Sequence, residues 1–110
     1  MSCVLGPVQL AQAAARLAEA ATRPVTVIVF GSYGRGEAQV ASDLDLLVIE
    51  PELPDKGDEY LRLKEAIGRV GVGVDLLLCS KSDFERRSQV PGTLAHAART
   101  QGKVLHDALA

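Results

Sequence analysis

Asp43 and Asp45 interrupt an otherwise apolar run, Ser42-Asp43-Leu44-Asp45-Leu46-Leu47-Val48. Side chains alternate faces along a β-strand, so the two carboxylates point one way and Leu44 and Leu46 point the other, toward a core. Two strand positions separate the Cα atoms by roughly 6–7 Å, close enough for the carboxylate oxygens to converge on a divalent cation. Without one, like charges at that spacing repel. A third acid, Asp75, breaks Val74-Asp75-Leu76-Leu77-Leu78-Cys79 in the same manner. Taken singly, Asp43 reads as a turn residue bonding an amide, and Asp75 as a surface position on an edge strand. Acids are rarely buried unless paired, and three of them on strands of one small sheet suit a hard cation. Mg²⁺ in such a site keeps positions for water and substrate phosphates.

The complementary half lies upstream. Val25-Thr26-Val27-Ile28-Val29-Phe30 runs straight into Gly31-Ser32-Tyr33-Gly34-Arg35-Gly36. A short Gly/Ser turn leaving a strand offers backbone amides and a hydroxyl to a phosphate. Glycine there lets the ligand approach the backbone closely. Arg35, just beyond, is either a solvated arginine or a charge partner for phosphate or for the acids. A phosphate-cradling turn ahead of an Asp-x-Asp strand, with a third strand acid later, points to two-metal nucleotidyl transfer. Two ions bridge the triphosphate and the attacking oxygen and orient in-line displacement. In that arrangement Asp43 and Asp45 hold the metals and the triphosphate. Asp75 assists the metal that activates the attacking hydroxyl and is the candidate general base. Gly31, Ser32 and Arg35 are the candidate nucleotide-binding residues.

The elements needed to position these groups are legible around them. Gly6-Pro7 starts a helix, with Leu10, Ala14, Leu17 and Ala21 on its apolar stripe and Pro24 stopping it. Residues 25–30 predict a buried strand and residues 43–50 a second one, ended by Glu50-Pro51. A loop follows to Gly57, then a helix capped by Asp55 or Asp58. Its stripe is Tyr60, Leu63, Ile67 and Val70, with Arg62, Lys64, Glu65 and Arg69 facing out, and Gly71 and Gly73 punctuate its end. Residues 74–79 predict a third strand. Ser82 or Asp83 caps a short helix through Arg87, Pro91 to Thr100 forms a last helix closed by Gly102, and Val104-Leu105-His106 is a candidate small edge strand. The expected class is α/β, a small sheet of three or four strands covered by helices on at least one face.

Composition narrows the functional classes. The chain of 110 residues is expected to be one domain, 1–110, large enough for a core without disulfides or a structural metal. Hydrophobic residues make up 47% and charged residues 24%, which argues against disorder. A net charge of −2 disfavours direct nucleic-acid binding through a basic face. No run reaches transmembrane length, and Met1-Ser2-Cys3-Val4 has no secretory pattern. Cys3 and Cys79 are far apart in sequence and read as free thiols, so a cytoplasmic setting without membrane contact is expected. His96 and His106 lack carboxylate or cysteine neighbours at zinc spacing and read as surface or helix-packing residues. Lys81, Arg86 and Arg87 form a small basic cluster, either a solvated helix face or a contact for an acidic partner.

On Gly31-Ser32-Tyr33-Gly34-Arg35-Gly36-Glu37-Ala38 followed by Ser42-Asp43-Leu44-Asp45-Leu46-Leu47-Val48, the chain resembles the minimal nucleotidyltransferase domain of the DNA polymerase β-like superfamily. The resemblance extends to Val74-Asp75-Leu76, where that family carries its third acid. It also extends to Ala98-Arg99-Thr100-Gln101-Gly102-Lys103-Val104-Leu105-His106, similar to the family's closing helix and strand. Gln101 and His106 stand where relatives often have an acid and a tyrosine, a departure outside the catalytic motif. The resemblance implies the mixed-sheet nucleotidyltransferase fold and a Mg²⁺-dependent enzyme that uses ATP as an adenylyl donor. It further implies a partner, since many such minimal domains serve as antitoxin to a small helical HEPN toxin, by binding it and by adenylylating one of its tyrosines. Larger relatives of that family grip the acceptor with a helical domain; none is expected here, so a second protein is expected to complete the acceptor site, in a hetero- or homo-oligomer. Two other classes compete: a non-catalytic module that masks a partner, and a transferase acting on a small hydroxylated molecule such as an aminoglycoside. The three acids favour catalysis, since a pure binder has no need to crowd carboxylates.

Overall fold

The computed structural model describes residues 4–109; Cys3 and the rest of the N-terminal tripeptide lie outside them. The described chain runs α1 (Pro7–Ala20), β1 (Thr26–Phe30), α2 (Gly31–Arg35), β2 (Leu44–Glu50), α3 (Lys56–Ile67), β3 (Val74–Ser80), α4 (Lys81–Arg87), α5 (Leu94–Gln101) and β4 (Lys103–Asp107). The four strands form one mixed sheet in the order β3-β2-β1-β4. β1 pairs antiparallel with both β2 and β4, whereas β2 and β3 are parallel. Parallel neighbours need a crossover, and α3 supplies it.

Alternation along the strands sorts the side chains into two apolar layers. Val27, Val29, Leu44, Leu46, Val48, Leu76 and Leu78 face Ala13, Ala14 and Leu17 of α1 and Leu63 and Ile67 of α3. Ile28, Phe30, Leu47, Ile49 and Cys79 form the other layer, with Ala98 of α5 and Phe84 of α4. Helices thus cover both faces, which explains why the strands are nearly continuous in apolar residues. Asp45 and Asp75 belong to the second face, where they replace apolar residues at one end of the layer.

Several boundaries move for local reasons. Pro7 opens α1 as expected, while the helix ends at Ala20 and the chain turns before Pro24. The crossover helix stops at Gly68, whose φ of +60° suits glycine, so Val70 lies beyond it and Gly71 and Gly73 belong to the following loop. Asp55 takes the cap position of α3 without making a side-chain cap bond. For α4 the cap is Ser80, whose hydroxyl accepts from the amide of Asp83, rather than Ser82 or Asp83. Thr93 caps α5 by accepting from the amide of His96, so Pro91 and Gly92 form a turn ahead of it. β4 is a full edge strand, kinked where its register against β1 shifts between Val27 and Ile28.

The first layer contains an acid that periodicity did not single out. Glu50, the last residue of β2, is completely buried, and neither of its oxygens finds a hydrogen-bond donor. Arg23 Nη1 stands 3.9 Å away. Glu59 of α3 lies beside it and accepts from both the amide and the hydroxyl of Thr22. Burial, then the neighbouring Glu59 carboxylate, pushes the Glu50 carboxyl up to about 8. A protonated Glu50 has a hydrogen to offer Glu59, which as an ion it lacks. Burial opposes ionisation of Glu59 as well, but the bonds from Glu50 and Thr22 outweigh it and hold that carboxyl below its usual range.

A carboxyl whose pKa rises on folding stabilises the fold fully below its unfolded value, near 4.5, and that contribution is lost as pH climbs through about 8. The Glu59 effect has the opposite sign but falls below pH 4.5, outside this window. Glu50→Gln keeps the shape and supplies a permanent donor. We expect denaturant unfolding to show wild-type stability falling between pH 5 and 9 and the variant nearly flat, with a gain at pH 9 on the order of a few kcal/mol. A variant less stable than wild type at pH 9 would contradict the assignment.

Candidate active site

Three strand ends meet where the acids lie. Phe30, the last residue of β1, is opposite Asp45 near the start of β2. Asp45 is in turn opposite Asp75 near the start of β3. One rung of the sheet therefore reads Phe30, Asp45, Asp75, and the chain leaves it directly into α2. The connection expected as an open Gly/Ser turn is this five-residue helix, bracketed by Gly31 at φ +67° and Gly36 at φ +73°. Both values lie in the left-handed region that glycine adopts at little cost. A Cβ on Gly31 would also collide with the carboxylate of Asp45. Gly31 is thus fixed by the acid beside it as well as by any approaching phosphate.

Two contacts that sequence patterns did not reveal hold α2 in place. The hydroxyl of buried Tyr33 accepts from the amide of Leu5 at 3.0 Å, tying α2 to the segment ahead of α1. Gly34 lies so close to the carbonyls of Val29 and Gln101 that a Cβ would meet them at 2.9 and 3.1 Å. Ser32 is half-buried, and its carbonyl accepts from Glu37 at 2.8 Å. Arg35 is exposed and pairs with Glu37 at 2.8 Å, while its charge still reaches Asp45.

Burial first, then a hydrogen bond with Asp75 and the charges of Asp75 and Asp43, raise the Asp45 carboxyl above its usual range; only Arg35 opposes them. Asp45 and Asp75 are thus brought together, with one proton or cation needed between them. Asp43 is felt by Asp45 but lies against Gly73, where a Cβ would meet its carboxylate. Among the described residues, no three acidic, histidine or cysteine groups are gathered tightly enough to chelate an ion as they stand. The donor set nevertheless fits Mg²⁺: hard carboxylate oxygens, mutually repelling, with little cationic compensation.

A cleft of about 360 Å³ opens on the pair, lined by Phe30, Asp45, Asp75, Tyr60, Lys64 and Leu94 among others. Lys64 is exposed, as its place off the apolar stripe predicts, and its Nζ also donates to the carbonyl of Val74 at 3.0 Å, bringing a positive charge to the rim. Tyr60 sits one turn before Lys64 on the same helix face, and that i, i+4 spacing was the available signal. Cys79, at the floor of a neighbouring cleft, is buried and its thiol is pushed up to about 11, so it acts as an apolar wall. His96 and His106 are half-buried, and among the described residues neither belongs to a cluster of three groups that could hold a metal ion.

The family model described as "Nucleotidyltransferase domain" matches residues 10–97. The chain belongs to the nucleotidyltransferase domain family. A Methanocaldococcus jannaschii relative named "Putative protein adenylyltransferase MJ1305" is 35% identical over 88 residues, which cover 76% of this chain. The chain spans 58% of that relative's length. Among solved structures, one described as "a putative nucleotidyltransferase from Sulfolobus solfataricus" superposes with a TM-score of 0.63 at 16% identity, covering 93% of this chain and 80% of the other. A toxin–antitoxin structure with AMP-PNP superposes with a TM-score of 0.60 at 18% identity, covering 96% and 76%. Both share the mixed sheet and its helical layers. No helix among the described residues is long and apolar enough to cross a membrane.

Asp45→Asn removes one charge of the pair and keeps its shape. We expect the fold to hold, and Mg²⁺-dependent ATP binding in titration calorimetry to weaken at least tenfold, about 1.4 kcal/mol. Equal binding by the two proteins would rule Asp45 out as a metal ligand. Gly31→Ala meets both a left-handed φ and the Asp45 carboxylate. A loss of about 1–2 kcal/mol in thermal unfolding is expected, together with loss of nucleotide binding. A variant matching wild type in both would exclude this role for Gly31.

Proposed function

We propose that this nucleotidyltransferase domain transfers AMP from ATP to a protein hydroxyl, and that the acceptor is a tyrosine of a small helical HEPN-type toxin, for which the chain is the antitoxin. The observation that carries the reading is the facing of Asp45 and Asp75 across β2 and β3, at the foot of Gly31-Ser32. The name of the Methanocaldococcus jannaschii relative supports adenylyl transfer to protein. The AMP-PNP in the toxin–antitoxin neighbour supports an adenine nucleotide and a toxin partner.

Asp43, Asp45 and Asp75 are the residues that would hold Mg²⁺, and two ions are proposed. When bound, Mg²⁺ neutralises charge growing on the transferring phosphate and favours ionisation of the attacking hydroxyl. Gly31 and Ser32 bind the triphosphate, with Arg35 turning from Glu37 toward it. Asp75 takes the proton of the acceptor hydroxyl. The acceptor oxygen bonds to the α-phosphorus as the α–β bridging bond breaks, and pyrophosphate leaves.

The cleft over the acids is open, so the chain alone does little to orient an acceptor. Correct placement of reacting groups can be worth roughly 7–11 kcal/mol of barrier, and the partner supplies it. With labelled ATP, Mg²⁺ and the protein encoded beside this chain, label should move to the neighbour, orders of magnitude faster than onto small alcohols, and vanish in Asp43→Asn and Asp45→Asn. Tight binding and inhibition of the neighbour without label would identify a masking module. Fast labelling of an aminoglycoside with no gain from any protein would identify a small-molecule transferase.

A further inference from the structure

β3 is an edge strand, and its free edge lies between two walls. Leu44 N–H donates to the carbonyl of Gly73, so the backbone groups of Asp75, Leu77 and Cys79 face β2. Those of Val74, Leu76, Leu78 and Ser80 then face away from the sheet. Lys64 Nζ takes the outward carbonyl of Val74. Beyond it, a cleft of about 570 Å³ runs along Leu76, Leu77, Leu78 and Cys79. Tyr60 and Lys56 of α3 form one wall, and Phe84 and Arg87 of α4 with Leu94 of α5 form the other. This cleft shares Tyr60, Leu76, Leu77 and Leu94 with the cleft over Asp45 and Asp75.

We propose that this groove receives an extended, acidic segment of the acceptor protein, added as a fifth strand to the edge of β3; the proposal rests on the transfer reading above. The outward amides and carbonyls of an edge strand are a template for strand addition, and here they lie in the groove, where Leu76 and Leu78 are themselves buried. The outward groups of Leu76 and Leu78 hold the segment's backbone. Apolar side chains of the segment settle against Leu77, Phe84 and Leu94. The charge of the rim selects its sign: Lys56 and Arg87 line the cleft, no acid does, and among the described residues neither is in an ion pair. The nearby acid Asp83 is engaged with Arg86 at 2.8 Å. Because the two clefts are continuous, a strand lying along β3 leads directly to Asp75, where its hydroxyl would be deprotonated.

The test uses the full chain and the protein encoded beside it. Hydrogen–deuterium exchange should find the amides of Leu76 and Leu78 exchanging quickly in the free chain and slowed at least tenfold in the saturated complex. Lys56→Glu with Arg87→Glu, both at exposed helix positions, should weaken the complex at least tenfold in calorimetry. Unchanged exchange at both amides in a saturated complex, unchanged affinity of the double variant, or no complex at all would overturn the groove. Label transfer that proceeds without amide protection would leave the transfer reading standing and the groove wrong. Protection without label transfer would do the reverse.

Discussion

The rung Phe30–Asp45–Asp75 is the constraint on which the rest of the molecule depends. Two carboxylates face one another across a parallel strand pair, Asp45 half-buried and Asp75 exposed, so water screens the pair from one side only. Such a pair is unfavourable on its own. It persists because register is set elsewhere: a slip of one residue would turn Leu44, Leu46 and Val48 out of the first layer and drive Asp45 into it. The apolar layer against α1 and α3 thus enforces the electrostatic arrangement on the opposite face. The helix α2 adds a second restraint, since Gly31 leaves just enough room for the Asp45 carboxylate.

Much of this was legible in the sequence because it depends on period two. Asp43 and Asp45 among leucines, and Asp75 among its own, are polar residues at the starts of runs whose central members are apolar on both faces, so the exception is visible. The pairing of Asp45 with Asp75 required the parallel order of β2 and β3, which a single sequence does not specify. α2 was hidden because Gly31-Ser32-Tyr33-Gly34-Arg35-Gly36 carries the composition of a turn. Its helical geometry is imposed by tertiary contacts at Tyr33 and Gly34. Glu50 and Glu59 were hidden for a different reason: one closes a strand and the other opens the exposed-looking first turn of a helix. Only the crossover brings them face to face. The cap Ser80 precedes the expected Ser82 or Asp83 because the strand runs straight into the helix, and the last helix starts after Thr93 because Pro91 and Gly92 form a turn.

The comparisons separate what fold and chemistry each contribute. At 16% and 18% identity, two solved structures retain the same layered sheet. Apolar alternation and short connections are enough to specify it, and many residues satisfy them. The relative at 35% identity carries the more specific information, although the chain spans 58% of its length. Within this fold the acid cleft and the cleft along the β3 edge adjoin, and both draw on residues of one strand.

The interlock of Gly31 with Asp45 has an evolutionary consequence. The two positions form a lock with a one-way history. While the aspartate stands, any side chain at the glycine must displace it, so whatever keeps the acid keeps the glycine as well. Once a descendant loses the acid, one of the two obstacles to a side chain at position 31 disappears. Substitution there becomes tolerable in steps, and each step closes the space into which a restored carboxylate would have to return. A lineage that gave up the acid would find the way back sterically shut.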